Sequence, residues 1–467
     1  MKKKRTYAPP KQDETALYVR LWGWIYYALI FLVMALGVQL LGAVPLKPEL
    51  QKQLIAGVLY LLVCIYMHQT YHALNVGQLR VSEMIMSQAL SNLLTVGVCY
   101  VATVLFTHRL INPLPLLAVL IMQTIVGLLW SLWANREFFM KRRPPRTAII
   151  YCKDEELQAL YSTPHFSKKY KICKTIRYAG GNVDDLLDQL EDMEALFAAG
   201  IPAALENGLA IFCIELGIKG YFVPQLGDIL MAGAKYMPAF HLPVLMVRRA
   251  GRRNEYRLVK RLLDIALSLT GLLVASPIML VTALCIKLED HGPVFYKQTR
   301  LTKNGREFDI LKFRSMTVNA EQDGVARLAG SNDPRITKVG KFIRACRIDE
   351  LPQIINILAG DMSIVGPRPE RPEIAKEYEK TLPEFALRLQ VKAGLTGQAQ
   401  IYGRYNTEPY TKLQMDLMYI NQMSLLYDLR LILATVKVLF MKESTQGIAE
   451  GQMTAMREDA EKEEITI

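Results

Sequence analysis

The chain has 467 residues, of which 51% are hydrophobic and 21% charged, and its mean hydropathy is +0.15. Its length suits about three domains of roughly 150 residues. The composition excludes a disordered chain, a collagen-like fibre and a small disulfide scaffold, and the positive hydropathy indicates that part of the surface faces lipid. The net charge of +12 is compatible with binding to nucleic acid, anionic lipid or a phosphorylated substrate. The positions of the charges along the chain must distinguish these three kinds of partner.

The seven cysteines lie singly along the chain, without a CxxC pair. They indicate reduced side chains rather than a disulfide framework or a zinc site. The basic residues Lys2 to Arg5 precede a long apolar run with no small-residue cleavage site nearby, so no cleaved signal peptide is expected.

Four apolar stretches occur within residues 21–135, each close to the ~17–25 residues with which a helix crosses the hydrocarbon layer. They are Leu21–Val44, Leu54–Thr70, Leu90–Thr107 and Leu114–Trp133. They predict a four-helix transmembrane bundle, because buried helices of a large soluble protein would carry more charge between them. Tryptophans near the ends of the first and fourth stretches predict an interfacial belt; they are Trp22, Trp24, Trp130 and Trp133.

Basic residues predict the orientation of this bundle. Six lie in the tail 1–20 and five between Arg136 and Arg146, whereas the two loops on the other side hold only Lys47, Lys52 and Arg109. Because lysine and arginine are enriched in cytoplasmic segments, both ends of the bundle are expected in the cytoplasm.

Residues 146–248 predict a small, Rossmann-like α/β domain, because short apolar strands alternate with helices there. Thr147–Cys152 and Leu209–Ile214 are predicted to be buried parallel strands, with an acidic helix over Val183–Ala199 between them. Tyr221–Pro224 and Val244–Val247 are candidate further strands. A dinucleotide site is not expected, because acidic residues rather than a glycine-rich turn follow the first strand.

A fifth apolar segment, Leu262–Ile286, allows two interpretations. It is long enough to span the membrane, but basic clusters flank it on both sides, and a crossing would leave one cluster on the wrong side. Ser276-Pro277 lies in its middle, where proline removes a backbone donor and the serine hydroxyl can satisfy the freed carbonyl. A kinked helix that enters one leaflet and returns is therefore an alternative to a fifth span.

The segment that follows is polar and dense in fixed charges. Val294–Thr299 and Arg306–Phe313 flank an Asn-Gly turn and predict a β-hairpin. Four basic residues suit the binding of phosphoryl oxygens; they are Lys312, Arg314, Arg344 and Arg368. Asp349 and Glu350 are adjacent, and a carboxylate that stays ionised among arginines could attack phosphorus while its neighbour holds a divalent cation, for which magnesium is the default.

Each of these features is weak alone, but their order is specific. Between about Lys260 and Met441 the chain carries LKFRSM, DPRIT, GKFIR, IDELPQ, GDMSIVGPRP and GLTGQAQIYGR. This set resembles the bacterial sugar transferase family, the monotopic polyprenyl-phosphate phosphoglycosyl transferases, and the whole layout is similar to the large form of that family. The resemblance implies a multidomain membrane protein whose catalytic α/β domain, residues 256–442, has a re-entrant membrane helix at 262–286.

The resemblance also implies an activity. Such enzymes transfer a sugar 1-phosphate from a UDP-sugar to undecaprenyl phosphate at the bacterial inner membrane, with the catalytic domain in the cytoplasm, and so initiate exopolysaccharide, capsule or O-antigen assembly. The aspartate of the dyad, Asp349, would form a phosphosugar–aspartyl intermediate and release UMP, and Glu350 would hold Mg²⁺. The implied partners are the UDP-sugar, undecaprenyl phosphate and the lipid bilayer, without nucleic acid and with a homodimer left open.

Further positions follow from the same resemblance. The arginine of the Pro-Arg-Pro motif is Arg368, the late acidic residue is Asp428, and Arg404 matches a polar position near the nucleotide or phosphates. The serine and proline of the re-entrant helix fall on Ser276 and Pro277, which favours re-entry over a fifth span.

Two loop positions depart from the family pattern. Ala393 stands where a proline is usual, and Thr302 where a glycine is usual. Residues expected against lipid headgroups are Arg388, Lys392, Lys412 and the stretch Leu425–Met441. The polar, increasingly acidic segment 443–467 is expected to be a mobile tail.

Two other functions remain as alternatives. The chain could be a membrane scaffold or sensor with an inactive transferase domain that only binds nucleotide sugar or lipid, or a nucleotide-sugar hydrolase in which water replaces the lipid phosphate. The intact Asp349, Glu350 and Arg368 disfavour the first, and the long apolar segments disfavour the second. The identity of the sugar does not follow from the sequence.

Overall fold

A computed structural model describes residues 14–40, 50–161, 163, 166–180, 183–237, 244–247, 249, 254–318, 333, 335–403 and 408–439. Contacts between residues divide the chain into two units, Met1–Pro224 and Gln225–Ile467. Arg404 and the segment 443–467 lie outside the described residues, as does most of the predicted tail 1–20.

The first unit begins with four long helices, each of which contains a window apolar enough to cross a membrane. They are α1 (Glu14–Leu40), α2 (Leu50–Thr70), α3 (Val81–Thr107) and α4 (Leu114–Lys141). All four overlap the apolar stretches of the sequence; α1, α2 and α3 begin before their stretches, and α4 continues beyond its own. The coarse prediction of several membrane-type helices at the start of the chain is confirmed.

The tryptophans of these helices divide between two environments. Trp24 and Trp133 are 63% and 44% exposed, as the predicted belt requires. Trp22 and Trp130 are instead buried, and Trp130 Nε1 donates to Trp22 O at 3.0 Å, so these two indoles pack between the helices, and the interfacial belt stays a prediction. An indole N–H that is removed from water needs a partner, and a carbonyl of the neighbouring helix provides one.

The first unit continues with a four-stranded parallel sheet in the order β2-β1-β3-β4. Its strands are β1 (Arg146–Tyr151), β2 (Lys171–Arg177), β3 (Ala195–Ala199) and β4 (Lys219–Phe222). The helices are α5 (Asp154–Tyr161), α6 (Phe166–Lys169), α7 (Val183–Asp188) and α8 (Ala203–Leu216). Parallel strands joined by helices confirm the predicted α/β character of this region.

Two predicted elements of this domain are wrong. Leu209–Ile214 is not a strand but part of α8, whose buried residues Leu205, Leu209 and Phe212 follow a helical period. Short apolar runs do not distinguish a buried strand from a buried helix. The predicted helix Val183–Ala199 ends at Asp188, and Ala195–Ala199 forms β3, because the position between β1 and β4 overrides the helical propensity of alanine and leucine.

The second unit contains the remaining elements, which follow in chain order. They are α9 (Leu226–Ala232), β5 (Lys235–Met237), β6 (Val244–Met246), α10 (Asn254–Asp290), β7 (Phe295–Leu301), β8 (Glu307–Phe313), α11 (Lys338–Ala345), α12 (Gln353–Ala359), β9 (Met362–Val365), α13 (Pro372–Thr381), β10 (Ala393–Thr396), α14 (Gln398–Tyr402), α15 (Pro409–Gln422) and α16 (Leu425–Leu439). Helix α9 packs here, since Asn421 Nδ2 of α15 donates to Ile229 O at 2.7 Å.

The strands that the structure describes in this unit form three pairs. β5 and β6 are antiparallel, and β9 and β10 are parallel. β7 and β8 form the predicted hairpin, and Asn304 and Gly305 in its turn have positive φ values of 61° and 73°, as an Asn-Gly turn favours. The main apolar core lies between α13, α15 and α16 and includes Tyr378, Leu413, Leu417, Tyr419 and Leu431.

Helix α10 contains the fifth apolar segment and runs from Asn254 to Asp290 with Pro277 inside it. Pro277 cannot donate to Leu273 O, and Ser276 Oγ donates to this carbonyl instead at 2.8 Å, which confirms the predicted role of the serine hydroxyl. Leu273 and Leu280, on either side of the proline, are 76% and 73% exposed.

Both ends of α10 contact other elements of the second unit. Near its start, Arg261 donates to the carbonyls of Ile357 and Leu358 at the end of α12, at 2.6 and 2.8 Å. Near its end, Ile286 packs in one apolar cluster with Phe313 and Ile343. The exposed apolar middle of the helix is therefore flanked by two segments that pack against the same unit.

The two departures from the family pattern contact each other. Thr302 and Ala393 are 2% and 4% exposed, and Ala393 N donates to Thr302 Oγ1 at 3.2 Å. The same hydroxyl donates to Asp361 O at 2.9 Å. A proline at 393 would have no N–H to satisfy, and a glycine at 302 would have no hydroxyl with which to satisfy it, so the two replacements compensate each other.

We expect Thr302→Val to lower stability by about 1–3 kcal/mol, because it leaves the buried N–H of Ala393 and the carbonyl of Asp361 without a partner. Adding Ala393→Pro should recover part of that loss, because proline removes the orphaned donor. Thermal unfolding of the detergent-solubilised variants, arranged as a double-mutant cycle, measures the coupling.

The matched control is Thr299→Val on β7, three residues before Thr302, whose hydroxyl donates to the side chain of Asp309 at the surface and should matter little. Additive effects of the changes at 302 and 393 would contradict the compensation.

Candidate active site

The Asp349-Glu350 pair lies on a short 3-10 turn, Ile348–Glu350, between α11 and α12. Thr337 caps the start of α11 by accepting from Gly340 N at 2.9 Å. Arg347, with a left-handed φ of 55°, separates α11 from the turn, and Pro352 precedes α12. The dyad is thus held at a helix–turn–helix corner rather than on a regular helix.

A close contact fixes this corner against the end of β8. A Cβ at Gly340 would lie 2.0 Å from Ser315 O, so only glycine allows α11 to approach the chain after β8 so closely. Thr337 N also donates to Ser315 O at 3.1 Å. The basic residues of β8 and the carboxylates of the turn are held together by these contacts.

Glu350 is a carboxylate held by two cations. Arg368 Nη2 donates to Glu350 Oε1 at 2.9 Å, and Lys312 Nζ lies 4.0 Å from the same oxygen. The Glu350 side chain is 14% exposed. Burial alone would raise its pKa, but the charges of Arg368, Lys312 and Arg347 outweigh burial and lower the pKa to about 2. Glu350 is therefore ionised throughout the physiological range.

Asp349 differs from its neighbour. Among the described residues, no side chain forms a hydrogen bond or ion pair with its carboxylate, although the charges of Lys312, Arg344 and Arg368 act on it. Burial and the negative charge of Glu350 raise its pKa to about 6. The expectation that a carboxylate among arginines stays fully ionised thus holds for Glu350, whereas Asp349 titrates close to neutrality.

The third titrating group of the site is Lys312 on β8. Burial lowers the pKa of its ammonium group to about 8, against the opposing effect of Glu350. Three of the four basic residues predicted from the sequence, Lys312, Arg344 and Arg368, therefore act electrostatically on the dyad. Two adjacent carboxylates whose pKa values are moved apart by their surroundings, beside several cations, are typical of a catalytic site.

The other predicted site residues lie in different surroundings. Arg314 is 7% exposed, and its guanidinium is paired with Asp290 at the end of α10. Asp428 accepts hydrogen bonds from Tyr256 and Lys260 of α10, at 3.0 and 2.8 Å, and from Tyr419 at 2.8 Å. Both side chains join α10 to the rest of the unit, and their predicted contact with substrate stays a prediction.

The prediction that Arg388 and Lys412 rest against lipid headgroups is wrong. Arg388 is 2% exposed and lies 2.7 Å from Asp416 and 3.4 Å from Glu370. Lys412 Nζ binds Glu370 at 3.0 Å. Together with Asp416, which lies on α15 like Lys412, these residues form a buried cluster next to the Pro-Arg-Pro segment. No sequence pattern predicts this cluster, because single charges spread along the chain do not indicate which of them pair.

The donor set fits a divalent cation only in part. Among the described residues there is no group of three or more histidine, cysteine or acidic side chains that could hold a metal ion. Magnesium, however, is commonly bound by one or two carboxylates together with substrate phosphates and water. Glu350 is ionised, and its second oxygen has no cation partner in the part of the chain that the structure describes, so it is the residue of this site that suits such an ion.

Comparison with known proteins places the residues of this site within a known family. The family model described as bacterial sugar transferase matches residues 255–442. A UDP-N-acetylgalactosamine-undecaprenyl-phosphate N-acetylgalactosaminephosphotransferase from Aeromonas hydrophila is 41% identical over 230 residues, which are 49% of this chain and 53% of that protein.

Two glucose-1-phosphate transferases are similar as well. The UDP-glucose:undecaprenyl-phosphate glucose-1-phosphate transferase of Escherichia coli (strain K12) is 41% identical over 211 residues, 44% of each chain. The protein of the same name from Caulobacter vibrioides is 41% identical over 190 residues, 40% of this chain and 71% of that protein.

The chain spans about half the length of the first two of these relatives, and most of the Caulobacter protein. The family model covers the dyad, the hairpin with Lys312 and the segment with Arg368, which are the parts that form the site. This chain belongs to the bacterial sugar transferase family.

Proposed function

We propose that this protein transfers a sugar 1-phosphate from a UDP-sugar to undecaprenyl phosphate, releasing UMP, at the cytoplasmic face of a bacterial inner membrane. The names of the relatives support the donor class and the acceptor. The product would begin the assembly of a surface polysaccharide such as an exopolysaccharide, capsule or O-antigen.

The observation that carries the proposal is the difference between the two carboxylates. Glu350 is held ionised by Arg368 and Lys312, whereas the Asp349 carboxylate has no hydrogen-bond or ion-pair partner among the described residues and a pKa of about 6. At neutral pH most Asp349 is a carboxylate whose oxygens are free to react, beside cations that attract a diphosphate. A pair arranged only to stabilise the fold would satisfy both carboxylates.

Two displacements at phosphorus account for the reaction. In the first, an Asp349 oxygen bonds to the sugar-proximal phosphorus, the bond from that phosphorus to the bridging oxygen breaks, and UMP leaves with the electron pair. In the second, an oxygen of undecaprenyl phosphate attacks the same phosphorus and displaces Asp349, which regenerates the carboxylate. Arg368, Lys312 and Arg344 would stabilise the negative charge on the phosphoryl oxygens in both steps.

Glu350 would hold Mg²⁺ in this scheme. The ion, when bound together with the diphosphate, would neutralise charge on the phosphoryl oxygens. The low pKa of Glu350 supports this role, because the side chain remains an anionic oxygen ligand at every physiological pH. Arg368 would then orient Glu350 through the 2.9 Å hydrogen bond.

The helices support a location at the membrane. We infer that α1 to α4 form a transmembrane bundle, and that α10 enters one leaflet and returns. α10 is long and apolar enough to span, but both of its ends pack against one unit while its proline-containing middle is exposed. Such a helix would hold the dyad at the boundary where a water-soluble donor meets a lipid acceptor.

The first test is the release of UMP from a panel of UDP-sugars by the purified protein with Mg²⁺, with and without undecaprenyl phosphate. If the protein is a transferase, sustained release of UMP requires the lipid. Without the lipid, we expect only a single burst of one UMP per site. Sustained release without lipid would instead indicate a hydrolase, and no release with any sugar would indicate a scaffold.

Asp349→Asn should abolish both the burst and the turnover, because an amide does not displace UMP, while the protein still inserts into membranes. Mass spectrometry of a quenched reaction should find the phosphosugar adduct on the peptide that contains Asp349. The matched control is Asp309→Asn at the surface of β8, which should keep the burst. Normal turnover of Asp349→Asn would rule out this nucleophile.

The burst should follow a bell-shaped pH profile. Protonation of Asp349 removes the nucleophile, so the burst rate should fall below about pH 6, and deprotonation of Lys312 should lower it above about pH 8. Measuring the burst without lipid excludes titration of the acceptor phosphate. Lys312→Arg should remove the alkaline limb but keep the acidic one, because arginine stays charged; a profile flat from pH 5 to 8 would contradict the assignment.

Labelling with a membrane-impermeant maleimide tests the course of α10. Leu258→Cys and Leu288→Cys, at exposed positions near its two ends, should react from the same side of oriented vesicles once the exposed native cysteines are replaced by serine. Leu110→Cys, between α3 and α4, is the control for the opposite side. Reaction of position 288 together with position 110 would mean that α10 spans the membrane.

A further inference from the structure

Two arginines of other elements donate hydrogen bonds to the main chain of the Pro-Arg-Pro segment. Arg388 Nη2, in the 3-10 turn Pro383–Gln390, donates to Arg368 O at 2.9 Å. Arg300 Nη1, on β7, donates to Pro369 O at 3.2 Å. The guanidinium of Arg368 extends from this anchored backbone to Glu350. Its placement on the dyad thus depends on groups that do not themselves contact the dyad.

Arg388 is in turn fixed by the buried cluster that it forms with Glu370, Lys412 and Asp416. Its Nη2 lies 2.7 Å from Asp416 Oδ2, and its Nη1 lies 3.4 Å from Glu370 Oε1, while Phe385 covers its guanidinium at 4.8 Å from the ring centroid. Lys412 Nζ binds Glu370 at 3.0 Å. The cluster holds two positive and two negative side chains, and it places a planar cation in one orientation.

This arrangement is costly for mere stability. Arg388 and Asp416 are 2% and 1% exposed, and removing such charges from water costs free energy that their mutual attraction often fails to repay. A buried ion pair is therefore weak evidence for added stability, but it holds its side chains in one geometry. Here the fixed Arg388 guanidinium binds the carbonyl of Arg368, and Arg368 contacts the dyad. The cluster is therefore connected to the chemistry as well as to the fold.

We propose that Arg388 is a positioning residue for phosphosugar transfer, which acts by holding the backbone of Arg368 so that the Arg368 guanidinium stays on Glu350 and the transferred phosphoryl group. The inference rests on the proposed function. Arg388 itself contacts neither the dyad nor, in this scheme, the substrate. Its effect on the reaction must therefore pass through Arg368.

The test is a double-mutant cycle on the rate of transfer. Arg388→Lys keeps the charge but loses the planar fork that reaches the Arg368 carbonyl, Glu370 and Asp416 together. We expect kcat to fall by about ten- to a hundredfold, the scale of a small misplacement of catalytic groups, with a smaller change in KM for the UDP-sugar. In an Arg368→Ala background the same substitution should have almost no further effect on kcat, because the group that Arg388 positions is gone.

The matched control is Arg261→Lys, because Arg261 also donates from both terminal nitrogens to main-chain carbonyls of the second unit, those of Ile357 and Leu358. A merely structural arginine should change kcat by the same factor with and without Arg368. Equal factors for Arg388→Lys in the two backgrounds would overturn the proposal. If Arg388→Lys does not fold, Asp416→Asn, which keeps the shape of the cluster and removes one charge, is measured in the same cycle.

A second measurement does not depend on activity. Amide hydrogen exchange of the peptide over residues 364–372 should become faster in Arg388→Lys than in the unmodified protein, while exchange in α13 and α15 stays the same. Unchanged exchange of this peptide would overturn the proposal. If the unmodified protein has no transfer activity but Arg388→Lys still exchanges faster, the anchoring of Arg368 is upheld and the proposed function is rejected. The two failures are therefore distinguishable.

Discussion

Glu350 is a carboxylate largely removed from water, and the elements around it are arranged so that this charge is neutralised. Arg368 comes from the segment after β9, Lys312 from β8 and the carboxylate from the turn between α11 and α12. A buried charge without partners would be very unfavourable, so these three segments must meet. Asp349 lies next to the Glu350–Arg368 ion pair without joining it, and there burial and repulsion by Glu350 raise its pKa.

The surroundings of the dyad show how charge is distributed over two layers. The nearer layer consists of cations that act on the carboxylates, and the deeper layer is the neutral cluster of Arg388, Glu370, Lys412 and Asp416. In the deeper layer the positive charges are satisfied by acidic residues, so they do not compete for an anionic ligand. In the nearer layer cations outnumber carboxylates, which favours a diphosphate.

Helix α10 is as apolar as a membrane helix, yet both of its ends pack against the second unit. Arg261 near its start and Ile286 near its end pack against that unit, whereas Leu273 and Leu280 are exposed beside Pro277. The carbonyl that the proline frees is bonded by Ser276 within the helix, so the irregularity needs no water. This is the property that a helix bent inside lipid requires.

The sequence by itself determined the membrane-type helices, the β7–β8 hairpin, the Ser276 hydrogen bond and the family, because hydrophobic runs, Asn-Gly turns, proline chemistry and ordered motifs are local signals. Only the tertiary structure decided that Leu209–Ile214 is helical and Ala195–Ala199 a strand, since the neighbours of a short apolar run select its conformation. Only the fold paired Arg388 with Asp416, Arg314 with Asp290 and Thr302 with Ala393. Such contacts join residues far apart along the chain, and no local pattern encodes which buried polar group will satisfy which.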